Sequence, residues 1–238
     1  MSSITWTPTA LAASASPWAG EAWRMVEAQH AAATMKLVDS AAEQALLEDL
    51  LEQAKPPLPE AARKLHYLLA TPFRYPPLPR GSRFRAAGEP GVFYGADQLA
   101  TACAELGYWR WRFLRDAPGL RRIDSVAHTA FRASIKVKSA IDLREPPLAR
   151  DRKRWTDPDS YAATQELARR AREGAIGVIR YQSVRDPGHD GCTALLTPAG
   201  FAAKSPKGAL QTWWLSVRQD RATWIRGAQR HEFRYGVT

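Results

Sequence analysis

Cysteine is scarce in this chain. Only Cys103 and Cys192 occur, far apart and with no C-x-x-C or Cys/His cluster, so neither a disulfide framework nor a zinc site is indicated. Both are expected to be small buried apolar residues in a reducing compartment. No apolar run reaches the ~18 residues of a membrane span, and the first residues lack a basic stretch followed by an apolar one. The expectation is a soluble, cytoplasmic protein with no membrane partner. The five histidines, His30, His66, His128, His189 and His231, fall singly; no metal is expected. Acid is the minority charge, with 24 Asp and Glu against 34 Lys and Arg, a net +10 and a pI near 9.9. That field favours an anionic partner of some kind, whether nucleic acid, membrane surface, small ligand or acidic protein. The excess is scattered arginine, as at Arg121–Arg122, Arg150–Arg154 and Arg169–Arg172, and most of it reads as solvated surface.

What is plentiful is apolar and aromatic matter, at 45% and 10% of 238 residues. One large domain with a sizeable core follows. Residues 1–17, rich in Ser, Thr, Ala and Pro, are expected to be a flexible arm. Residues 18–80 are expected to be a helical N-terminal section packed on the core. Within it, Ser40 and Glu43 fit a capping box, Leu46, Leu47, Leu50 and Leu51 form a helical stripe, and Lys55-Pro56-Pro57 stops the helix. A helix over Glu60–Leu69 follows, and the proline-dense stretch Thr71–Pro79 predicts an extended crossing.

The core runs over 81–238. Its opening predicts a strand Arg83–Arg85, a turn Gly88–Gly91, a strand Val92–Tyr94, and a helix capped by Asp97 and reaching Leu114. Period-two alternation over Thr129–Leu143 predicts a strand or two. A helix Tyr161–Arg172 capped by Ser160 comes next, then strands at Ala175–Tyr181, Cys192–Leu196 and Ala209–Val217, with a closing hairpin through Ala222–Ile225 and His231–Tyr235. Trp213-Trp214 reads as sheet core. Helices before and between strands, with strands late, predict an α+β fold on a mixed or antiparallel sheet.

One stretch concentrates chemistry. Arg83 offers a fork for phosphate, Tyr94 a ring for stacking, and Glu105, the acid of an otherwise apolar helix, a carboxylate that can hold ribose hydroxyls or stabilise positive charge. They stand at equal spacing. Arg85 competes with Arg83 for the ligand's charge, and Arg24 and Arg74 are supporting candidates.

The ordered set Gly81-Ser82-Arg83-Phe84, Gly88-Glu89-Pro90, Val92-Phe93-Tyr94 and Ala104-Glu105 resembles the RES-domain family, the toxins of RES–Xre toxin–antitoxin pairs. The resemblance runs over about Trp23 to Leu196. It adds Ser183, after the strand Gly177–Tyr181, as a third member beside Arg83 and Glu105. It implies an ADP-ribosyltransferase-like fold, NAD⁺ as substrate, cleavage of the nicotinamide–ribose bond by hydrolysis or phosphorolysis, and an Xre-family antitoxin as partner. Glu105 and Arg83 would be catalytic, with Arg83, Arg85, Tyr94 and Ser183 binding NAD. Two other readings stay open, a protein ADP-ribosyltransferase and a basic nucleic-acid-binding protein with tryptophans as stacking surfaces; in the latter, nucleic acid would be bound directly rather than through an antitoxin.

Overall fold

The computed structural model describes residues 6–28, 40–76, 79 and 81–236; His30 and the Pro77-Leu78 end of the proline-dense stretch lie outside them. Helix α1 (Pro8–Ala13) leads into strand β1 (Ser16–Glu27), and α2 (Ala41–Gln53) and α3 (Tyr67–Arg74) follow. Strand β2 (Phe93–Ala96), helix α4 (Leu99–Asp116) and the long strand β3 (Ile123–Asp142) come next. Then come α5 (Arg152–Trp155), α6 (Ala162–Glu173), and strands β4 (Val178–Gln182), β5 (Gly191–Leu195), β6 (Lys207–Arg218), β7 (Arg221–Arg226) and β8 (Gln229–Arg234). The fold is α+β. The sheet order is β1-β2-β5-β4-β3-β6-β7-β8, and β1 pairs a second time with β3, so that β1, β2, β5, β4 and β3 close on themselves. The β3–β4 ladder is parallel and the others antiparallel, which makes the sheet mixed.

Strand β3 is the shared beam. Its length pairs with β1, from Ser16↔Ala140 to Glu27↔His128, while its opposite edge serves β6 at one end and β4 at the other. Two apolar clusters lie against these strands. One gathers Phe93, Phe131, Ile135 and Leu195 with Leu68, Leu69 and Phe73 of α3. The other gathers Trp213, Leu215 and Trp224 with Cys103, Trp111 and Leu114 of α4 and Leu167 of α6. Both cysteines are buried and free, as expected, and burial pushes the Cys103 thiol up to about 12.

Several expectations need correction. The arm is structured from Pro8: α1 is capped by the Thr7 hydroxyl accepting from Ala10 N at 3.2 Å, and Leu11 is fully buried. Trp18–Glu27 is strand rather than helix. Its Ala, Glu, Met and Arg favour helix on their own, but both faces meet protein, so alternation is muted and pairing with β3 decides. Pro72 lies inside α3, whose Leu68, Leu69 and Phe73 are buried; their burial outweighs the one amide the proline lacks. Arg83–Arg85 is not a strand paired with β2. It is a tight turn closed by Ser82 N→Arg85 O (2.7 Å) and Arg85 N→Ser82 O (3.1 Å), and β2 pairs with β5 and β1 instead. Asp97 does not cap α4. Gln98 stands at that position, and Asp97 accepts from Arg180 Nη2 at 2.6 Å. Tyr161, not Ser160, precedes α6. The β7–β8 hairpin forms as expected, and Trp213 is buried while Trp214 faces out.

Candidate functional site

The site opens where the closed set of strands is thinnest. Strand β1 meets β2 at a single register pair, Trp23 opposite Ala96. A cavity of about 350 Å³ lies there, lined among others by Trp23, Arg24, Ser82, Arg83, Tyr94, Glu105, Trp109, Tyr161, Tyr181, Arg185 and Cys192. That size is within the range of small-molecule sites.

Arg83 reaches the cleft from the tight turn. Gly81, at φ +67°, makes that turn possible, because a Cβ there would stand 2.2 Å from the Arg85 carbonyl. Helix α6 clamps the turn: Gln165 Nε2 donates to Ser82 O at 3.0 Å and Arg172 Nη2 to Phe84 O at 3.2 Å. Arg83 is 9% exposed. Its Nη1 donates to the carbonyls of Trp155 (2.9 Å) and Asp157 (3.0 Å), and its guanidinium lies 4.7 Å over the Tyr161 ring. Among the described residues the remaining nitrogens, Nε and Nη2, meet no protein acceptor, and these can meet an anion.

Tyr94 lines the opposite side of the turn. Its hydroxyl exchanges a 2.8 Å hydrogen bond with Ser82 Oγ and accepts from Phe84 N at 2.9 Å, so the phenol holds the Arg83 turn. Burial raises its pKa, which keeps it neutral. Its carbonyl accepts from Arg24 Nη1 at 2.7 Å, bridging β1 to β2 beside their single register pair. Burial lowers Arg24 to about 10, so it still carries its charge at neutral pH.

Glu105 comes from α4, a helix buried almost all round in the turn before it, through Thr101, Ala102, Cys103 and Ala104. Its Oε1 accepts from Ser183 Oγ at 2.5 Å. The direction is fixed, because the same Ser183 oxygen accepts from the backbone amides of Arg185 (3.3 Å) and Asp186 (3.0 Å), leaving its own hydrogen for the carboxylate. One helical turn earlier, Thr101 Oγ1 donates to Asp186 Oδ2 at 2.8 Å, and that carboxylate also accepts from Gly188 N and Asp190 N. Two parallel links thus fasten α4 to the turn between β4 and β5. Among the described residues no arginine ion-pairs with Glu105; the Ser183 hydroxyl is its hydrogen-bond donor.

The structure brings Arg83, Tyr94 and Glu105 to one cavity. Ser183 is fully buried and touches Glu105 rather than lining the cavity. Arg85 is not among the lining residues: its Nε donates to Glu89 O (3.0 Å) and its Nη2 to Tyr75 O (2.8 Å), so it braces the neighbouring loop. Arg74 is also spent elsewhere, with Nε on Pro56 O. Tyr161 and Tyr181 were not singled out as site residues: one opens the predicted helix and the other closes the predicted strand, and nothing local marks either ring as facing a cavity. The Arg185 guanidinium lies 3.8 Å over the Tyr108 ring, and its Nη2 donates to Pro158 O.

Among the described residues no cluster of His, Cys, Asp and Glu fits a metal ion, and no helix is long and apolar enough to cross a membrane. No curated protein matches the chain. Among solved structures, the crystal structure of the M. tuberculosis MbcT-MbcA toxin-antitoxin complex aligns at 12% identity over 86% of each chain, with a TM-score of 0.45. Residues 57–218, which hold Arg83, Tyr94, Glu105 and Ser183, match the RES domain. The chain belongs to the RES domain family.

Proposed function

We propose that this RES protein breaks the nicotinamide–ribose bond of NAD⁺ and serves as the toxin of a toxin–antitoxin pair. The observation that carries the reading is a carboxylate, Glu105, aimed by the Ser183 hydroxyl into a cavity that also presents the free edge of Arg83 and the ring of Tyr94. Cleavage builds oxocarbenium character on C1′ as the C–N bond lengthens. A fixed carboxylate there stabilises the transition state more than the ground state. Nicotinamide leaves neutral, taking the bonding electron pair, so no strong general acid is needed. Among the described residues no histidine lines the cavity. Arg83 Nε and Nη2 suit the pyrophosphate, and Tyr94, Tyr161 and Trp109 supply ring surface. Water or phosphate then attacks C1′ and loses a proton to solvent. An enzyme of this kind must be held inactive in the cell that makes it, and an acidic Xre-family antitoxin covering the arginine-lined mouth would do so, its encounter speeded by the net +10 charge.

Incubation of the purified protein with NAD⁺, with and without inorganic phosphate and resolved by mass, tests the reading. Nicotinamide with ADP-ribose identifies water as acceptor, and a phosphorylated ADP-ribose identifies phosphate. No nicotinamide release under either condition overturns it.

A further inference from the structure

Several half-buried arginines of this chain face carboxylates. Arg144 meets Asp142, Arg172 meets Glu89 and Arg180 meets Asp97. Burial demands this, because a charge taken out of water without an opposite charge is costly. Arg24 departs from the pattern. It stands on β1, outside the segment that matches the RES domain, and it lines the cavity that holds Glu105 and Arg83. Among the described residues its one hydrogen-bond acceptor is the Tyr94 carbonyl, 2.7 Å from Nη1, and no carboxylate pairs with it.

The rest of the Arg24 guanidinium is unmet. Among the described residues Nε is sealed from solvent with no acceptor, and Nη2 has none either. The group lies 5.0 Å over the Phe93 ring, a contact that stabilises a cation far less than a bonded anion does. Burial pulls its pKa down to about 10, which leaves it charged at neutral pH. A brace between β1 and β2 needs only a donor for one carbonyl, and a neutral side chain can supply that. The charge calls for an anion.

Tyr94 relates this cation to Arg83. Its phenol holds the turn that carries Arg83 and its carbonyl holds Arg24, so the two cations approach the cavity from opposite ends of one residue. Neither has a carboxylate partner among the described residues, and Glu105, the acid of the same cavity, is engaged by Ser183. We infer that Arg24 is a second anion arm of the cleft, and that the ligand carries two linked phosphates, one met by Arg83 and the other by Arg24. The choice of a pyrophosphate rests on the reading of the cleft as an NAD⁺ site. A strand from outside the matched segment thereby completes the site.

Calorimetric titration of the full chain with inorganic pyrophosphate and with orthophosphate tests the arm. Pyrophosphate should bind the parent, and Arg24→Met, which keeps the stem and removes the charge, should raise its dissociation constant about 30-fold. Orthophosphate, which one arginine can hold, should shift by less than about threefold in the same variant. Arg24→Lys should restore part of the pyrophosphate affinity, because it returns the charge without the fork. Arg24→Gln repeats the test if Arg24→Met does not fold. A parent that ignores pyrophosphate, or a neutral variant that binds it as the parent does, overturns the inference. Equal loss of both anions also overturns it, since that marks Arg24 as a brace alone. Pyrophosphate binding that depends on Arg24, in a protein that releases no nicotinamide from NAD⁺, upholds the arm and overturns the proposed cleavage instead.

Discussion

The two walls of the cleft are fastened by different means. Glu105 is held side chain to side chain: Ser183 donates to it, and Thr101 and Asp186 repeat the link one helical turn away. Arg83 is held through main chain, with Nη1 on the Trp155 and Asp157 carbonyls and its turn pinned by the Tyr94 phenol. The acidic wall is therefore a rigid splice between a long helix and a hairpin turn. The cationic wall is a short turn whose position depends on α6 and the 155–161 loop. The comparison teaches that, on the proposed chemistry, the carboxylate that would meet developing charge is tied side chain to side chain, and the guanidinium that would meet phosphate is tied through main-chain carbonyls.

Glu105→Gln should break the comparison most severely. It keeps shape and a partner for Ser183 but removes the charge, and NAD⁺ turnover should fall about 100-fold, or about 3 kcal/mol, with an unchanged melting temperature. Stopped-time nicotinamide assays check it. Arg83→Ala comes next. Calorimetric titration should show NAD⁺ affinity weakened by about 30-fold, or about 2 kcal/mol, because a charge-assisted contact is lost and the Trp155 and Asp157 carbonyls lose their donor.

Ser183→Ala sharpens the comparison, since it leaves the charge and removes its aim, together with the acceptor of the Arg185 and Asp186 amides. Turnover should drop about 10-fold with KM unchanged, a cost of about 1.4 kcal/mol. An effect on KM alone would instead put the hydroxyl on the ligand. Tyr94→Phe has the smallest expected effect on chemistry. It orphans the amide of Phe84 and should cost about 1 kcal/mol in denaturant unfolding while turnover stays within about threefold.

The cleft was legible where its residues are close in sequence. Arg83, Tyr94 and Glu105 lie within one stretch, and each belongs to a type whose chemistry announces itself. Long-range links were not legible. Nothing local says that Ser183 donates to Glu105, 78 residues away, or that Asp97, placed like a helix cap, prefers Arg180. Arg83 and Arg85 look equivalent in sequence, and only the turn geometry sends one into the cavity and the other to Tyr75 and Glu89. Strand β1 was hidden for a different reason. Its two faces serve both the closed sheet and the cleft, which masks alternation, so helix propensity speaks louder than the pairing that decides the outcome.

The placement of β3 as a shared beam has a consequence in time. Its pairing with β1 joins residues such as Glu27 and His128, and the last members of the closed set, β4 and β5, end at Leu195. Contacts this distant in sequence form slowly, after the entropy of large loops has been overcome. During synthesis Arg83, Tyr94 and Glu105 emerge long before the turn that carries Ser183. The nascent chain therefore holds these three residues well before Tyr161, Tyr181, Arg185 and Cys192 of the same cavity and the Ser183 that bonds Glu105, and the cleft is complete only late in translation.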